Sequence, residues 1–125
     1  MAFDVRASGE HAKIILSGDV DLQTTSELKS EITGITEATT LEIDASSVTY
    51  IDSSGVAVLL LARQHCALHN INLVIPAVSM AVFRVLEIAK LDRMLSIGQV
   101  VDGGDTGVMG IGQSDDALAS DLLGD

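Results

Sequence analysis

The chain has 125 residues, 47% of them hydrophobic and 20% charged, which suits one packed domain and excludes a disordered chain. Its net charge of −11 disfavours phosphate backbones and anionic lipid surfaces, so we expect neither direct nucleic-acid binding nor membrane insertion. The sequence has no signal-peptide pattern and no apolar run of membrane length, and its single cysteine, Cys66, fits a cytoplasmic protein.

The first residues predict a β-hairpin. Weak alternation over Ala2–Ala7 and the segment AKIIL at Ala12–Leu16 indicate two strands, joined by a turn that contains Gly9. Residues 17–21, which include a glycine and two aspartates, are expected to break the second strand.

An amphipathic helix is predicted over Leu22–Thr33. Leu22, Leu28 and Ile32 recur at roughly helical spacing, which indicates one apolar face. Asp21 is a plausible N-cap for this helix, because a carboxylate can accept hydrogen bonds from the first turn.

The middle of the chain predicts a strand, a helix and a second strand. Alternation over Thr39–Asp44 indicates a strand, and Ala45–Asp52 is predicted to be a loop. A helix is expected from Ser53 to about Leu68, followed by a strand over Asn72–Pro76. Asn70 should end the helix, since asparagine tolerates the left-handed conformation of a helix C-terminus.

The last part predicts a helix over Met80–Ala89 and a short strand over Leu95–Val101. We therefore expect a domain over residues 1–101. Residues 102–125 form an acidic tail rich in Gly and Asp, expected to be mobile or weakly helical over Asp115–Leu123.

The order of these elements predicts an α/β fold. It should have a mixed sheet of four to five strands, an N-terminal β-hairpin, a βαβ core over residues 40–75, and helices packed on the sheet. Ligand sites in such sheets gather beyond the carboxyl ends of the strands, which is where Ser53 is expected.

The stretch YIDSSGVA, residues 50–57, places two serines at the start of a helix. Serine is a preferred N-cap, so capping alone is one interpretation. Gly55 costs about 1 kcal/mol of helix propensity relative to alanine, which suggests that another surface approaches closely there. In a second interpretation, a phosphoryl group on Ser53 is held by the free N–H groups of the helix N-terminus, near Asp52 and Asp44.

Other chemistry is disfavoured. A serine hydrolase would need a base within reach and a G-x-S-x-G elbow, so we expect no catalytic residue. His65 and His69 share a helix face at a spacing that metal sites use, but a solvated helix end is favoured because no acidic third ligand is nearby. Asp21 and Asp52 could pair around a metal, although cap and turn roles are commoner, and we expect no metal and no cofactor.

Three stretches resemble the STAS domain, in particular the anti-sigma-factor antagonists. They are LEIDASSVTYIDSSGVAVLLLARQHCALHNINLV (Leu41–Val74), ILSGDVDLQTTSEL (Ile15–Leu28) and PAVSMAVFRVLEIAKLDRMLSI (Pro76–Ile97). The resemblance covers roughly residues 4–100, and its D-S-S-G motif in a βα context is fairly specific. Lys90 stands where a glycine is usual in the family.

The resemblance implies particular roles for the residues of the motif. Ser53 matches the serine that an anti-sigma-factor kinase phosphorylates. Asp21 matches an acidic residue near the phosphorylation site, and Asp52, Ser54 and Gly55 complete the motif. We therefore expect Ser53 to be the phosphoacceptor and the other four residues to form the partner-binding face.

The function that the resemblance implies is partner switching, without catalysis. The unphosphorylated chain would bind an anti-sigma factor that is a histidine-kinase-like serine kinase, phosphorylation would release it, and a phosphatase would reset the chain. An alternative within the same family is a non-catalytic STAS subunit that binds the ATPase of a lipid-transport ABC transporter. A small-ligand sensor is a remote third option, because the chain lacks aromatic pocket residues.

Overall fold

The computed structural model describes residues 3–101 and contains five strands and three helices in that range. In chain order these elements are β1 (Phe3–Ser8), β2 (His11–Val20), α1 (Leu22–Thr33), β3 (Thr40–Ile51), α2 (Ser53–Leu68), β4 (Asn72–Ser79), α3 (Met80–Ile88) and β5 (Ile97–Val101). The expected tail helix over Asp115–Leu123 lies outside the described residues, and the domain limit at residue 101 stays a prediction.

The five strands form one sheet in the order β1-β2-β3-β4-β5. β1 pairs with β2 in antiparallel orientation, and every other neighbouring pair is parallel. The α/β prediction is therefore confirmed, with its N-terminal hairpin, its mixed sheet and its βαβ unit built from β3, α2 and β4.

One face of the sheet is buried and the other is partly open to solvent. Ala12 and Ile14 of β2 lie beside Leu41 and Ile43 of β3, and all four are buried. The buried side chains of all three helices belong to the same hydrophobic cluster, so the helices cover this face. None of the helices within residues 3–101 is long and apolar enough to cross a bilayer.

The predicted loop over residues 45–52 was wrong, because β3 continues to Ile51. Val48 and Ile51 are buried, whereas Thr49 and Tyr50 are exposed, so the polar residues of this segment occupy the solvent side of a strand. β2 also continues past its predicted break at residue 17 and pairs with this extension. Two register shifts accommodate the pairing, one of them at Gly18, whose φ of 67° is a conformation that favours glycine.

The connections after α2 and α3 each have a residue in the left-handed conformation at their second position. Asn70 follows α2 with φ 57°, as predicted, and Lys90 follows α3 with φ 62°. In each case the next N–H closes the helix end, from Ile71 to the Cys66 carbonyl and from Leu91 to the Leu86 carbonyl, both at 2.8 Å. Lys90 therefore occupies a backbone conformation that strains a side chain with a Cβ atom.

Replacing Lys90 with glycine should stabilise the protein. The left-handed conformation costs a residue with Cβ about 1–2 kcal/mol, which exceeds the extra chain entropy of glycine, so we expect a net gain of about 0.5–1 kcal/mol. Urea unfolding would measure it. Asn70→Gly is the matched control and should gain less, because asparagine tolerates this conformation. A Lys90→Gly variant that is no more stable than the wild type would contradict the assigned strain.

Candidate functional site

The pairing of β2 with β3 brings two helix starts together. Val20 lies opposite Ile51 at the ends of these parallel strands, and both side chains are buried. The next residue in each chain segment is the aspartate that caps the following helix, Asp21 for α1 and Asp52 for α2. The first helical residue after Asp52 is Ser53. The two caps predicted to share a site therefore lie side by side at the carboxyl edge of the sheet.

Asp52, and neither serine, caps α2. Its Oδ1 atom accepts hydrogen bonds from the backbone N–H groups of Ser54 at 3.0 Å and Gly55 at 3.3 Å, and from the Ser54 hydroxyl. The Ser54 hydroxyl is the main cause that lowers the pKa of the Asp52 carboxyl below its ordinary value, and the two N–H groups lower it further. The site therefore holds a carboxylate at the positive end of α2.

Asp21 caps α1 in the same way. Its Oδ1 atom accepts from the Thr24 N–H at 3.1 Å and from the Thr24 hydroxyl at 3.2 Å. The predicted cap is confirmed. Asp21 and Asp52 thus have parallel roles, each holding the first turn of its own helix, and within residues 3–101 no cluster of three metal-ligating side chains includes them.

The two serines of the motif have different environments. Ser53 is exposed at the first position of α2, and its hydroxyl forms no hydrogen bond to any residue between 3 and 101. Ser54 is partly buried, and its hydroxyl is committed to Asp52. Of the two hydroxyls, that of Ser53 is the one available for modification without breaking a contact of the fold.

The expectation that helix N–H groups hold a phosphoryl group on Ser53 is not supported. The N–H groups of Ser54 and Gly55 already donate to the Asp52 side chain, and the Val56 N–H donates to the Asp52 carbonyl at 3.2 Å. Because a carboxylate occupies the end of the helix, a phosphoryl group on Ser53 would add negative charge beside an existing negative charge.

Asp44 is not part of the site. Because β3 continues to Ile51, Asp44 lies seven residues back along the strand, roughly 20 Å from its end. Its carboxylate accepts hydrogen bonds from the N–H and the hydroxyl of Ser46, at 2.9 and 2.7 Å. The predicted proximity of Asp44 to Ser53 was wrong because it depended on a loop that does not exist.

Gly55 is buried, and its contacts lie within the protein. A Cβ atom at this position would lie 2.5 Å from Cγ1 of Ile51 and 3.1 Å from Cγ1 of Val20. The close approach that the glycine suggested is therefore that of the two strand ends against the helix tip. Gly55 allows α2 to start directly above the Val20–Ile51 pair and so positions Ser53, while its contact with a partner stays a prediction.

Sequence reasoning did not include two exposed apolar side chains beside the site. Leu22, the first residue of α1, is 70% exposed, and Tyr50, which pairs with Asp19 near the end of β3, is 52% exposed. Leu22 was assigned to the apolar face of α1, but it lies six residues, about 240° around the helix, from Leu28. The buried stripe is Thr25, Leu28 and Ile32, so the helical angle was the signal that Leu22 points elsewhere.

His65 is not at a solvated helix end. It is 9% exposed, and its Nε2 atom lies 2.6 Å from the carbonyl oxygen of Ile35, in the segment after α1. Its ring also lies beside that of His69, with 4.3 Å between the ring centroids. The contact with Ile35 connects α2 to the segment that follows α1, so His65 has a packing role.

Comparison with known proteins supports a family assignment for this fold. The family model described as "Mlab, STAS domain" matches residues 3–97. Anti-sigma-B factor antagonists of Listeria monocytogenes serovar 1/2a and Listeria innocua serovar 6a are each 30% identical over 93 residues, which is 73% of this chain and 82% of the relative.

Solved structures of antagonists have the same fold. The unphosphorylated form of the anti-sigma factor antagonist SpoIIAA aligns with a TM-score of 0.68 and 20% identity, over 77% of this chain and 87% of that one. An anti-sigma factor antagonist from Mycobacterium paratuberculosis aligns with a TM-score of 0.63 and 20% identity, over 94% and 91%. The chain therefore belongs to the STAS domain family, among its anti-sigma-factor antagonists.

The packing role of Gly55 predicts that Gly55→Ala is destabilising. Alanine would gain about 1 kcal/mol of helix propensity, but its Cβ would overlap Ile51, and overpacking of this kind costs about 1–3 kcal/mol. Ile51→Ala removes the overlapping atoms, so the double variant should lose less stability than the sum of the losses in the two single variants. Urea unfolding of the four proteins tests this, and additive effects would contradict the assigned contact.

The lowered pKa of Asp52 predicts a pH-dependent contribution to stability. A carboxyl whose folded-state pKa is depressed stabilises the fold above its unfolded value, about 3.9, and this contribution is lost as the pH falls through the folded value. Asp52→Asn retains a capping oxygen but no charge. We expect the variant to be less stable than the wild type near neutral pH and the difference to shrink below about pH 4. Urea unfolding across this range measures it, and a difference independent of pH would leave cap geometry as the only contribution.

Proposed function

We propose that this protein is a cytoplasmic partner-switching regulator, an anti-sigma-factor antagonist that is controlled by phosphorylation of Ser53. The observation that carries the proposal is the free hydroxyl of Ser53, exposed on a helix tip that Asp52 and Gly55 hold in place. The relatives from Listeria named as anti-sigma-B factor antagonists support the same class of function.

A partner would dock on the switch face, which we define as Asp21, Leu22, Tyr50, Asp52 and Ser53. Its leucine and tyrosine are exposed, so the face combines apolar area with the two carboxylates of Asp21 and Asp52. Aromatic and large apolar side chains are the usual anchors of protein interfaces, and a partner with basic groups around an apolar patch would complement this face. Gly55 is buried beneath this surface, and the partly buried Ser54 hydrogen-bonds to Asp52 beside it.

Phosphorylation of Ser53 would change the surface without changing the fold. A phosphoryl group brings about −1.5 to −2 charges. The neighbouring helix N–H groups donate to Asp52, so the phosphoryl group would remain on the surface with two carboxylates nearby. A partner that covers Leu22 and Tyr50 would then have to desolvate this charge, which disfavours docking.

The proposed partner is an anti-sigma factor that is also a histidine-kinase-like serine kinase, and a phosphatase would reverse the modification. The protein itself is the substrate of both and performs no catalysis. Under the alternative function, a STAS subunit of a lipid-transport ABC transporter, the same face would bind an ATPase without any dependence on Ser53.

The sharpest test compares the two serines. Candidate anti-sigma kinases from the same genome are incubated with ATP and with wild type, Ser53→Ala or Ser54→Ala, and incorporated phosphate is located by mass spectrometry. We expect wild type and Ser54→Ala to be phosphorylated at residue 53, and Ser53→Ala to remain unmodified. Phosphate on Ser53→Ala would contradict the assigned acceptor.

The binding arm of the test uses Ser53→Asp with Ser53→Asn as its uncharged control. Titration calorimetry against the same kinase should show that Ser53→Asp binds at least about tenfold more weakly, which is about 1.4 kcal/mol, while Ser53→Asn changes binding little. Equal weakening by both variants would mean that bulk, and not charge, controls docking. An ATPase of a transporter that co-purifies equally with all variants would instead support the alternative function.

A further inference from the structure

Charge is distributed unevenly over the described residues. Residues 3–52 carry ten acidic and three basic side chains, whereas residues 53–101 carry two acidic and four basic ones. The ion pairs within residues 3–101 involve the basic groups of Arg6, His11 and Lys13 only. The four later basic residues, Arg63, Arg84, Lys90 and Arg93, therefore have no carboxylate partner in the described part of the chain.

One of these basic side chains borders an apolar groove. The groove lies between α2, β4 and the segment before β5, has a volume of about 160 Å³, and is lined by Arg63, Leu73, Ile75, Met94, Leu95 and Ser96. A cavity of about 150 Å³ lined by aliphatic side chains is large enough for benzene, so the groove has room for one branched apolar side chain. Met94 at its border is 47% exposed, and Arg93 directly precedes it.

We propose that this groove is the docking site of the chain's own C-terminal segment, residues 115–123. The sequence of that segment, DDALASDLL, combines three aspartates with three leucines and has no basic residue. A leucine would fill the groove, and the aspartates would lie near Arg63 and Arg93. The segment thus matches both properties of the groove, its apolar interior and its unpaired positive border.

The position of Val101 makes this contact accessible within one molecule. Val101 is the last residue of β5, and Ile97 at the start of that strand pairs with Ile75 of the groove. The groove is therefore about 13 Å from the end of β5, at about 3.3 Å per residue along the strand. Residues 102–114 could span up to about 40 Å when extended, so they are long enough to return to it.

Charge also favours binding of the segment at the groove over binding at the switch face. The region from residue 102 onward carries six aspartates and no basic residue, so it is repelled by Asp21 and Asp52. The groove lies near Arg63, about 15 Å along α2 from Ser53. A tethered segment has an effective concentration in the millimolar range, so even a weak contact would be populated. Docking of this kind does not depend on phosphorylation of Ser53.

A spin label on the segment would detect the contact in the full chain. Ser120→Cys provides a thiol for the label, while the native Cys66 is buried. With a nitroxide attached at position 120, the amide signals of Met94, Leu95 and Ser96 should lose intensity relative to the reduced label. The amides of Leu22 and Ser53 should lose less intensity, because they lie farther from the groove and the broadening falls steeply with distance. A loss as large at the switch face as at the groove, or no loss at either place, would overturn the proposal.

Two variants separate specific docking from general attraction. Arg63→Glu reverses a charge at the groove and should restore the signals of Met94 and Leu95. Arg84→Glu makes the same charge change on α3, outside the groove, and should not restore them. Equal restoration by both variants would show that the segment is attracted without a defined site. As a last control, spin-labelled chains are mixed with chains that carry no spin label and whose amide signals are observed. Signal loss in these observed chains would identify a second copy as the occupant and overturn the intramolecular proposal.

Discussion

The parallel pairing of Val20 with Ile51 is the contact on which the geometry of the site depends. Both side chains are buried, and each is followed by an aspartate that caps a helix. Pairing these two residues therefore fixes where α1 and α2 begin relative to each other. Gly55 is required by the same contact, because a Cβ atom there would overlap the Ile51 side chain, so that either this side chain or the tip of α2 would have to move. The exposure of Ser53 follows from this packing and not from the serine itself.

Because Asp52 caps α2, the stability of the fold depends little on the charge state of Ser53. Helix N-termini ordinarily attract anions, but here two first-turn N–H groups donate to a carboxylate that belongs to the fold. A modification at Ser53 thus finds the N–H groups of Ser54 and Gly55 already committed to Asp52, and it gains little from them that would stabilise the folded state. The modification instead changes the free energy of binding, because a partner that docks at Ser53 has to approach the added charge. Such an arrangement suits a regulator whose structure stays constant while its interface changes.

Local signals in the sequence were sufficient for several helix ends, and long-range pairing was not predictable from them. Asp21, the start of α2 at Ser53 and the left-handed Asn70 could be read from residue types alone, because caps depend on a few neighbouring residues. The extension of β3 was missed because its polar residues resemble a loop when the partner strand is unknown. The same error led to the wrong prediction that Asp44 lies near Ser53. The roles of Gly55 and His65 depend on contacts that no local pattern records.

The uneven charge of the domain suits its two surfaces to different partners. Ten of the twelve acidic residues between 3 and 101 precede Ser53, so the switch face lies in the acidic part of the molecule. A protein that docks there must supply positive charge, and the chain's own acidic C-terminal region cannot compete for the same place. Arg63, the basic residue on α2, is about 15 Å from Ser53 along the helix. Each surface can therefore be occupied without electrostatic interference from the other, since a separation of this size exceeds the screening length of about 8 Å at physiological salt.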